Sequence, residues 1–251
     1  MKKNRKITFL RIFVFAAFLL LWQVAADKQW IDSFYFSSPL LLYQQFIHDM
    51  TDMSLFRHCF FTLSEFFISF ILIIGGSIFL AALFWFFQTL GKVMEPFLII
   101  LNSLPKSALA PLIIVWLGTG IKPIILCGIS VGIFGSVLHF YQSFCNTDPE
   151  RIKLIRTLGG NKVHIFTKVV FPGNIPLILS MSKVNIGLAL VGVIIGEFLA
   201  GRQGIGYLII YSSQTFKMTI MIMSICILCL LSALLYLVVN QVERFILNKK
   251  Y

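Results

Sequence analysis

Residues 66–87 read FFISFILIIGGSIFLAALFWFF, and residues 218–242 read MTIMIMSICILCLLSALLYLVVNQV. Neither stretch contains a charged side chain. About 20 apolar residues of helix cross the roughly 30 Å hydrocarbon layer of a bilayer, so each stretch reads as a membrane span. Outward from these two, apolar runs at about 8–26, 95–117, 121–143 and 175–199 bring the expected total to six, the first two being about 62–87 and 218–240 once interfacial residues are included. Composition agrees, since 58% of the 251 residues are hydrophobic and only 12% are charged, against about a quarter in soluble domains. That balance excludes a soluble enzyme, a nucleic-acid-binding domain and a disordered tail. Apolar runs that are continuous rather than alternating exclude a transmembrane β-barrel. The expected fold class is an all-α membrane protein forming one transmembrane domain over residues 1–251.

The net charge of +11 is explained by topology rather than by a nucleic-acid partner. With the N-terminus inside, inner segments hold 14 Lys and Arg (residues 2–11, Lys92, 151–168 and 244–250, including Lys249 and Lys250). Outer segments hold five: Lys28, Arg57, Lys122, Arg202 and Lys217. Positive residues accumulate in cytoplasmic loops, so both termini are expected there. The basic start, the apolar run and Val24-Ala25-Ala26 also fit a cleaved signal peptide; an uncleaved first span is the reading carried forward. Cys226 and Cys229 lie inside an apolar run without polar neighbours, which argues against redox chemistry, and no cluster has metal-ligand spacing.

Residues 145–173 form the longest polar, basic segment between spans. Asp148-Pro149-Glu150 opens a helix with an N-cap, a proline at the first position and an acid in the first turn. Through Leu158 it places Ile152, Ile155 and Leu158 on one face and leaves Arg151, Lys153 and Arg156 polar. Gly159-Gly160 stops it. Asn161 then caps a second expected helix, Lys162–Phe171, ended by Pro172-Gly173. Two short amphipathic helices suit either a lipid surface or a docking element for a soluble partner.

Arg156-Thr157-Leu158-Gly159, then nine residues, then Val169-Val170-Phe171-Pro172 resembles the EAA loop of ABC-importer permeases: Glu-Ala-Ala, three residues, Gly, nine residues, Ile-x-Leu-Pro. Lys153-Leu154-Ile155 stand where that pattern has Glu-Ala-Ala. Leu104-Pro105-Lys106-Ser107-Ala108-Leu109-Ala110-Pro111-Leu112 with Val115-Trp116-Leu117-Gly118 is similar to the third span of the nitrate, sulfonate and taurine permease group. So are Gly187–Leu199 and Gly204-Ile205-Gly206-Tyr207-Leu208-Ile209 to that group's fifth span and external loop. The likeness covers residues 38 to 210. It implies a type I importer-like bundle in the bacterial cytoplasmic membrane and a homodimer. It also implies two cytoplasmic ABC ATPases and a periplasmic or lipid-anchored substrate-binding protein. The implied cargo is a small solute: a sulfonate, taurine, nitrate or a pyrimidine precursor of thiamine. The loop then couples to the ATPase through Arg151, Ile152, Leu154, Ile155, Arg156, Thr157, Leu158, Gly159 and Pro172.

The chain has no phosphate loop, because Gly91-Lys92 is followed by Val93 and Phe86 stands where the first glycine belongs. No cofactor is expected on the chain itself, with ATP and Mg2+ held by the ATPase. Lys106 and Glu197 are ionisable at membrane depth, which makes both candidates for the solute route. The alternatives are snorkelling or a subunit contact for Lys106 and a structural bond to the external loop for Glu197. Pro105 and Pro111 break or bend the third span, either to line a route or to pack. Lys183 is expected to snorkel, Glu65 to mark an interfacial helix end, and the glycines at 128, 132, 135, 192 and 196 to permit close helix packing. The competing class is a membrane anchor or sensor without transport activity.

Overall fold

The computed structural model describes residues 2–248. Its elements are α1 (Lys2–Asp27), the short α2 (Ser33–Phe36) and α3 (Pro39–Thr51), α4 (Ser54–Phe86), α5 (Gln88–Ser103), α6 (Lys106–Leu117) and α7 (Ile121–Cys145). There follow α8 (Pro149–Thr157), α9 (Lys162–Ile165), a π-helical stretch Phe166–Val170, α10 (Phe171–Ala200), α11 (Ile205–Gln214) and α12 (Met218–Asn248). Helix makes up 88% of the structure, and the described residues contain no strand. Five helices are long and apolar enough to span a membrane, and α5 with α6, bent by 96° at their junction, makes a sixth if the pair counts as one span. Lys249 and Lys250 lie outside the described residues.

Several expected boundaries move. The second span begins at Ser54 rather than near 62, so α4 runs for 33 residues, about 50 Å at 1.5 Å per residue. The third span is not one helix: the chain breaks between Ser103 and Lys106, while Pro111 lies within α6 without ending it. The second amphipathic helix does not stop at Pro172-Gly173. Pro172 has no N–H to offer the carbonyl four residues back, and the chain widens to the π form, in which the Phe171 N–H reaches the Phe166 carbonyl. Lys162–Ala200 thereby runs on as one 39-residue rod, about 58 Å long and well beyond the hydrocarbon thickness. Residues 200–217, read as a loop, contain α11. The Ser38-Pro39 start of α3 is as expected, with Ser38 Oγ accepting from the Leu41 N–H at 3.3 Å.

α4, α7 and α10 form the centre, and small residues let them approach. A Cβ added at Gly192 would stand 2.6 Å from the Cys127 carbonyl oxygen, one at Gly128 would stand 2.5 Å from Ser69 Oγ, and one at Gly196 would stand 2.8 Å from Ile124 Cα. In lipid there is no hydrophobic drive between helices, so such close contact and interhelical hydrogen bonds supply the cohesion. Asn185, wholly buried, accepts from Ser136 Oγ at 3.0 Å and donates to the Met181 carbonyl at 3.0 Å. Lys183 does not snorkel: its ammonium pairs with Glu243 of α12. Side chains such as Phe13, Phe15 and Leu21 of α1 face outward, where the bilayer covers them.

Gly192→Val should destabilise the bundle by about 1–3 kcal/mol, the usual cost of overpacking. Denaturant titration of the purified protein in detergent measures it, and Gly187→Val, at a site with open space around the added carbon, is the control that should change little.

Candidate coupling site

In the 145–173 segment the expected caps at Asp148 and Asn161 and the glycine stop of α8 are present, whereas the stop at Pro172-Gly173 is not. Asp148 caps α8 by accepting the Glu150 N–H at 2.9 Å and lies 3.4 Å from the Arg151 guanidinium. At the other end Gly159 adopts φ +78°, a left-handed conformation that costs a residue with a Cβ about 1–2 kcal/mol. The Gly160 N–H returns to the Ile155 carbonyl at 2.9 Å. Asn161 then caps α9 by accepting the His164 N–H at 2.9 Å, and His164 Nδ1 accepts from the Asn161 N–H at 3.3 Å.

What the sequence left open is which face of α8 is free. Ile152 and Ile155 pack inward on the buried cluster of Trp85, Phe144 and Ile165. Leu158, expected on that same face, is instead 74% exposed, because the helix ends at Thr157 and the turn at Gly159 carries it outward. Leu154 is 60% exposed, so Leu154 and Leu158 form an apolar pair one turn apart on the open surface. Arg151, Lys153 and Arg156 are exposed around them. Thr157 Oγ1 is occupied by the Lys153 carbonyl at 3.0 Å.

The segment is fastened to the ends of three spans. The Lys162 ammonium donates to the Phe86 carbonyl at the end of α4 and lies 5.6 Å from the Trp85 ring centroid. Phe166 meets Trp85, Phe86 and Phe144 with ring centroids 5.2–5.6 Å away. Asn174 Nδ2 donates to the Val170 carbonyl at 2.7 Å and to Thr147 Oγ1 at 3.2 Å, tying the start of α10 to the end of α7. The segment that carries α8 is thus in contact with α4, α7 and α10 together. Lys162 and Asn174 were not singled out from sequence, because each acts through a partner more than 25 residues away.

A sequence profile of the family described as binding-protein-dependent transport system inner membrane component matches residues 73–248. The chain belongs to this family. It is a transport permease subunit of the ABC-importer class, a multi-pass bacterial inner-membrane protein. The permease is 27% identical over 237 residues to a "Probable ABC transporter permease protein" of Haemophilus influenzae, spanning 94% of this chain and 96% of that one. It is 24% identical over 233 residues to the formylaminopyrimidine transport permease protein ThiX of Halalkalibacterium halodurans, spanning 93% and 92%. Its fold matches a bacterial ABC transporter that imports the acidic polysaccharide alginate, with a TM-score of 0.68 at 14% identity over 97% of this chain and 98% of that one.

The four residues considered for the permease's solute route do not converge. Pro105 and Lys106 lie at the α5–α6 break, where the Lys106 ammonium donates to the carbonyls of Leu101 and Asn102 at 2.7 Å and of Leu104 at 3.0 Å. It caps the carbonyl end of α5. Pro111 lies exposed within α6. Glu197 is fully buried at the far end of the rod, accepting from Thr62 Oγ1 at 2.7 Å and from the Gly206 N–H at 2.5 Å, with Glu65 buried beside it rather than marking a helix end. Thr62 Oγ1 also accepts the Ile205 N–H at 2.7 Å, and His58 Nδ1 accepts the Gly204 N–H at 3.1 Å.

Replacing Gly159 with Val should loosen the end of α8 and leave the spans intact. Hydrogen exchange at the amides of residues 154–160 should speed up by about tenfold, as a strain of roughly 1–2 kcal/mol requires, while exchange in α7 stays unchanged.

Proposed function

We propose that α8 is the element through which a cytoplasmic ABC ATPase drives this permease. The observation that carries this is the division of α8 into two faces: Ile152 and Ile155 are held against the spans, while Leu154 and Leu158 stand exposed among Arg151, Lys153 and Arg156. Exposed apolar anchors ringed by charge suit a groove on a soluble partner. Lys153-Leu154-Ile155 in place of Glu-Ala-Ala gives this contact a basic, leucine-centred character, and a groove with acidic walls is the complement.

Two copies of the chain assemble around a solute route, with both termini and α8 in the cytoplasm, two ATPases bound beneath, and a substrate-binding protein delivering solute from outside. The excess of positive residues at the α8 end supports that orientation. ATP and Mg2+ belong to the ATPase. When the ATPases close, α8 moves with them and carries the rod Lys162–Ala200, so the motor state biases the two conformations of the route. The cargo is a small solute. The relative named for formylaminopyrimidine transport supports a pyrimidine precursor of thiamine, and the resemblance to the sulfonate, taurine and nitrate group supports a small anion.

Purification of the tagged chain from solubilised membranes, with mass spectrometry of what accompanies it, tests the proposal. An ATPase subunit should appear in equal copy number. Replacing Leu154 and Leu158 together with Glu should reduce it by about tenfold or more, the loss expected when apolar anchors leave an interface, while the chain remains inserted and monodisperse. Gly159→Asp, or Arg151→Glu with Arg156→Glu, should abolish uptake. Full ATPase recovery and normal uptake in all three variants would overturn the coupling role.

A further inference from the structure

At the end of α4 farthest from Lys162, the first turns of that helix and the turn after α10 enclose a cleft of about 660 Å3. That volume is the size of a small-molecule site. Its chemistry is one-sided. Arg57 and Arg202 both line it, and among the described residues neither guanidinium has an ion-pair partner. Gln203 Oε1 accepts from Arg57 Nε at 3.2 Å, which leaves the Gln203 amide N–H groups as donors. His58 Nδ1 is taken by the Gly204 N–H, so the ring's own N–H is on Nε2. Tyr207 adds a hydroxyl. Against these stands one carboxylate on the lining, that of Asp52, so two guanidiniums face a single acid; neighbouring Asp49 accepts from Gln45 at 2.8 Å.

The donors are also held in place. Glu197 and Thr62 fix the Gly206 and Ile205 N–H groups, and the Gly201 N–H returns to the Glu197 carbonyl at 3.0 Å, so the turn bearing Arg202 and Gln203 is pinned at both sides. His58 stacks on Tyr207 with centroids 6.1 Å apart, and Tyr207 on Tyr211 at 5.8 Å. Arg57 and Gln203, 146 residues apart in sequence, are thus presented by a rigid wall. A pinned set of donors facing a cleft is matched by a ligand that only accepts.

We infer that this cleft is an oxyanion-binding site, in which a sulfonate, phosphate or carboxylate group seats between Arg57 and Arg202 with the Gln203 amide and His58 Nε2–H completing its shell. Guanidinium forks suit such groups because they donate two parallel hydrogen bonds. Glu197 is a positioning residue for the site, acting through the 201–206 turn and not touching the anion. The oxyanion arrives either on a small soluble molecule or on a phospholipid headgroup, whose acyl chains the exposed Met53 and Phe56 at the cleft's border would accommodate. The site needs no ATPase, so it stands or falls separately from the coupling role of α8.

The test uses the full chain in phosphatidylcholine nanodiscs, with ethanesulfonate as the probe and saturation-transfer NMR as the readout. Wild type should give a saturable signal that inorganic phosphate competes away. Arg57→Gln with Arg202→Gln should weaken binding by about tenfold or more, as loss of charge-assisted hydrogen bonds implies. Arg57→Lys with Arg202→Lys, which keeps the charge but not the fork, should fall between. Lys92→Gln with Lys168→Gln, which removes two exposed cations away from the cleft, should bind as wild type. If replacing half the phosphatidylcholine with phosphatidylglycerol removes the ethanesulfonate signal, the natural occupant is a lipid headgroup; an unchanged signal assigns the site to a soluble anion. No signal at millimolar probe, or equal signals in wild type and the Gln double variant, would overturn the proposal.

Discussion

In hydrocarbon there is no water to satisfy a backbone N–H or carbonyl, and each one left bare costs several kcal/mol. At the irregular points of this chain, within the spans or at their ends, side chains and altered helix geometry likewise take up backbone groups. Where α5 stops at the 96° bend, the Lys106 ammonium covers three of its terminal carbonyls. Where Pro172 would interrupt the rod, the helix widens to the π form and Asn174 reaches the Val170 carbonyl. Where α11 begins, side chains from α4 and α10 take its first N–H groups. Ionisable residues at depth thus serve the backbone before they serve any cargo.

The same devices make the bundle mechanically continuous. The rod from Lys162 to Ala200 begins beside α8 and ends at Glu197, whose carboxylate holds the turn that carries Arg202 and Gln203. Toward its far end it is packed by Gly192 and Gly196 directly on the backbone of α7. Close packing transmits displacement because it leaves no slack to absorb it. On the coupling role proposed for α8, one helix and its glycine contacts link that surface to the other end of the molecule.

The spans, the cap at Asp148, the stop at Gly159 and the break near Pro105 were all legible in the sequence. Each rests on composition or on groups within four residues of one another. The outward turn of Leu158 was not, since it depends on where α8 ends. Nor were the partners of Lys183 and Glu65, which come from α12 and α10. Pro172 was misread as a stop because proline so often ends a helix. Here the π stretch, with Phe166 packed among Trp85, Phe86 and Phe144, holds the chain in line.

By itself the sequence determined that the chain lives in a membrane as helices and that residues 145–173 form an unusual polar segment. A bilayer permits few backbone conformations, and apolar length alone selects among them. Only the tertiary structure decided which face of α8 is left exposed, that Lys106 and Glu197 are spent on backbone groups, and that Arg57 meets Gln203 and shares a cleft with Arg202. Those outcomes depend on contacts between residues far apart in the chain, and periodicity carries no record of such distances.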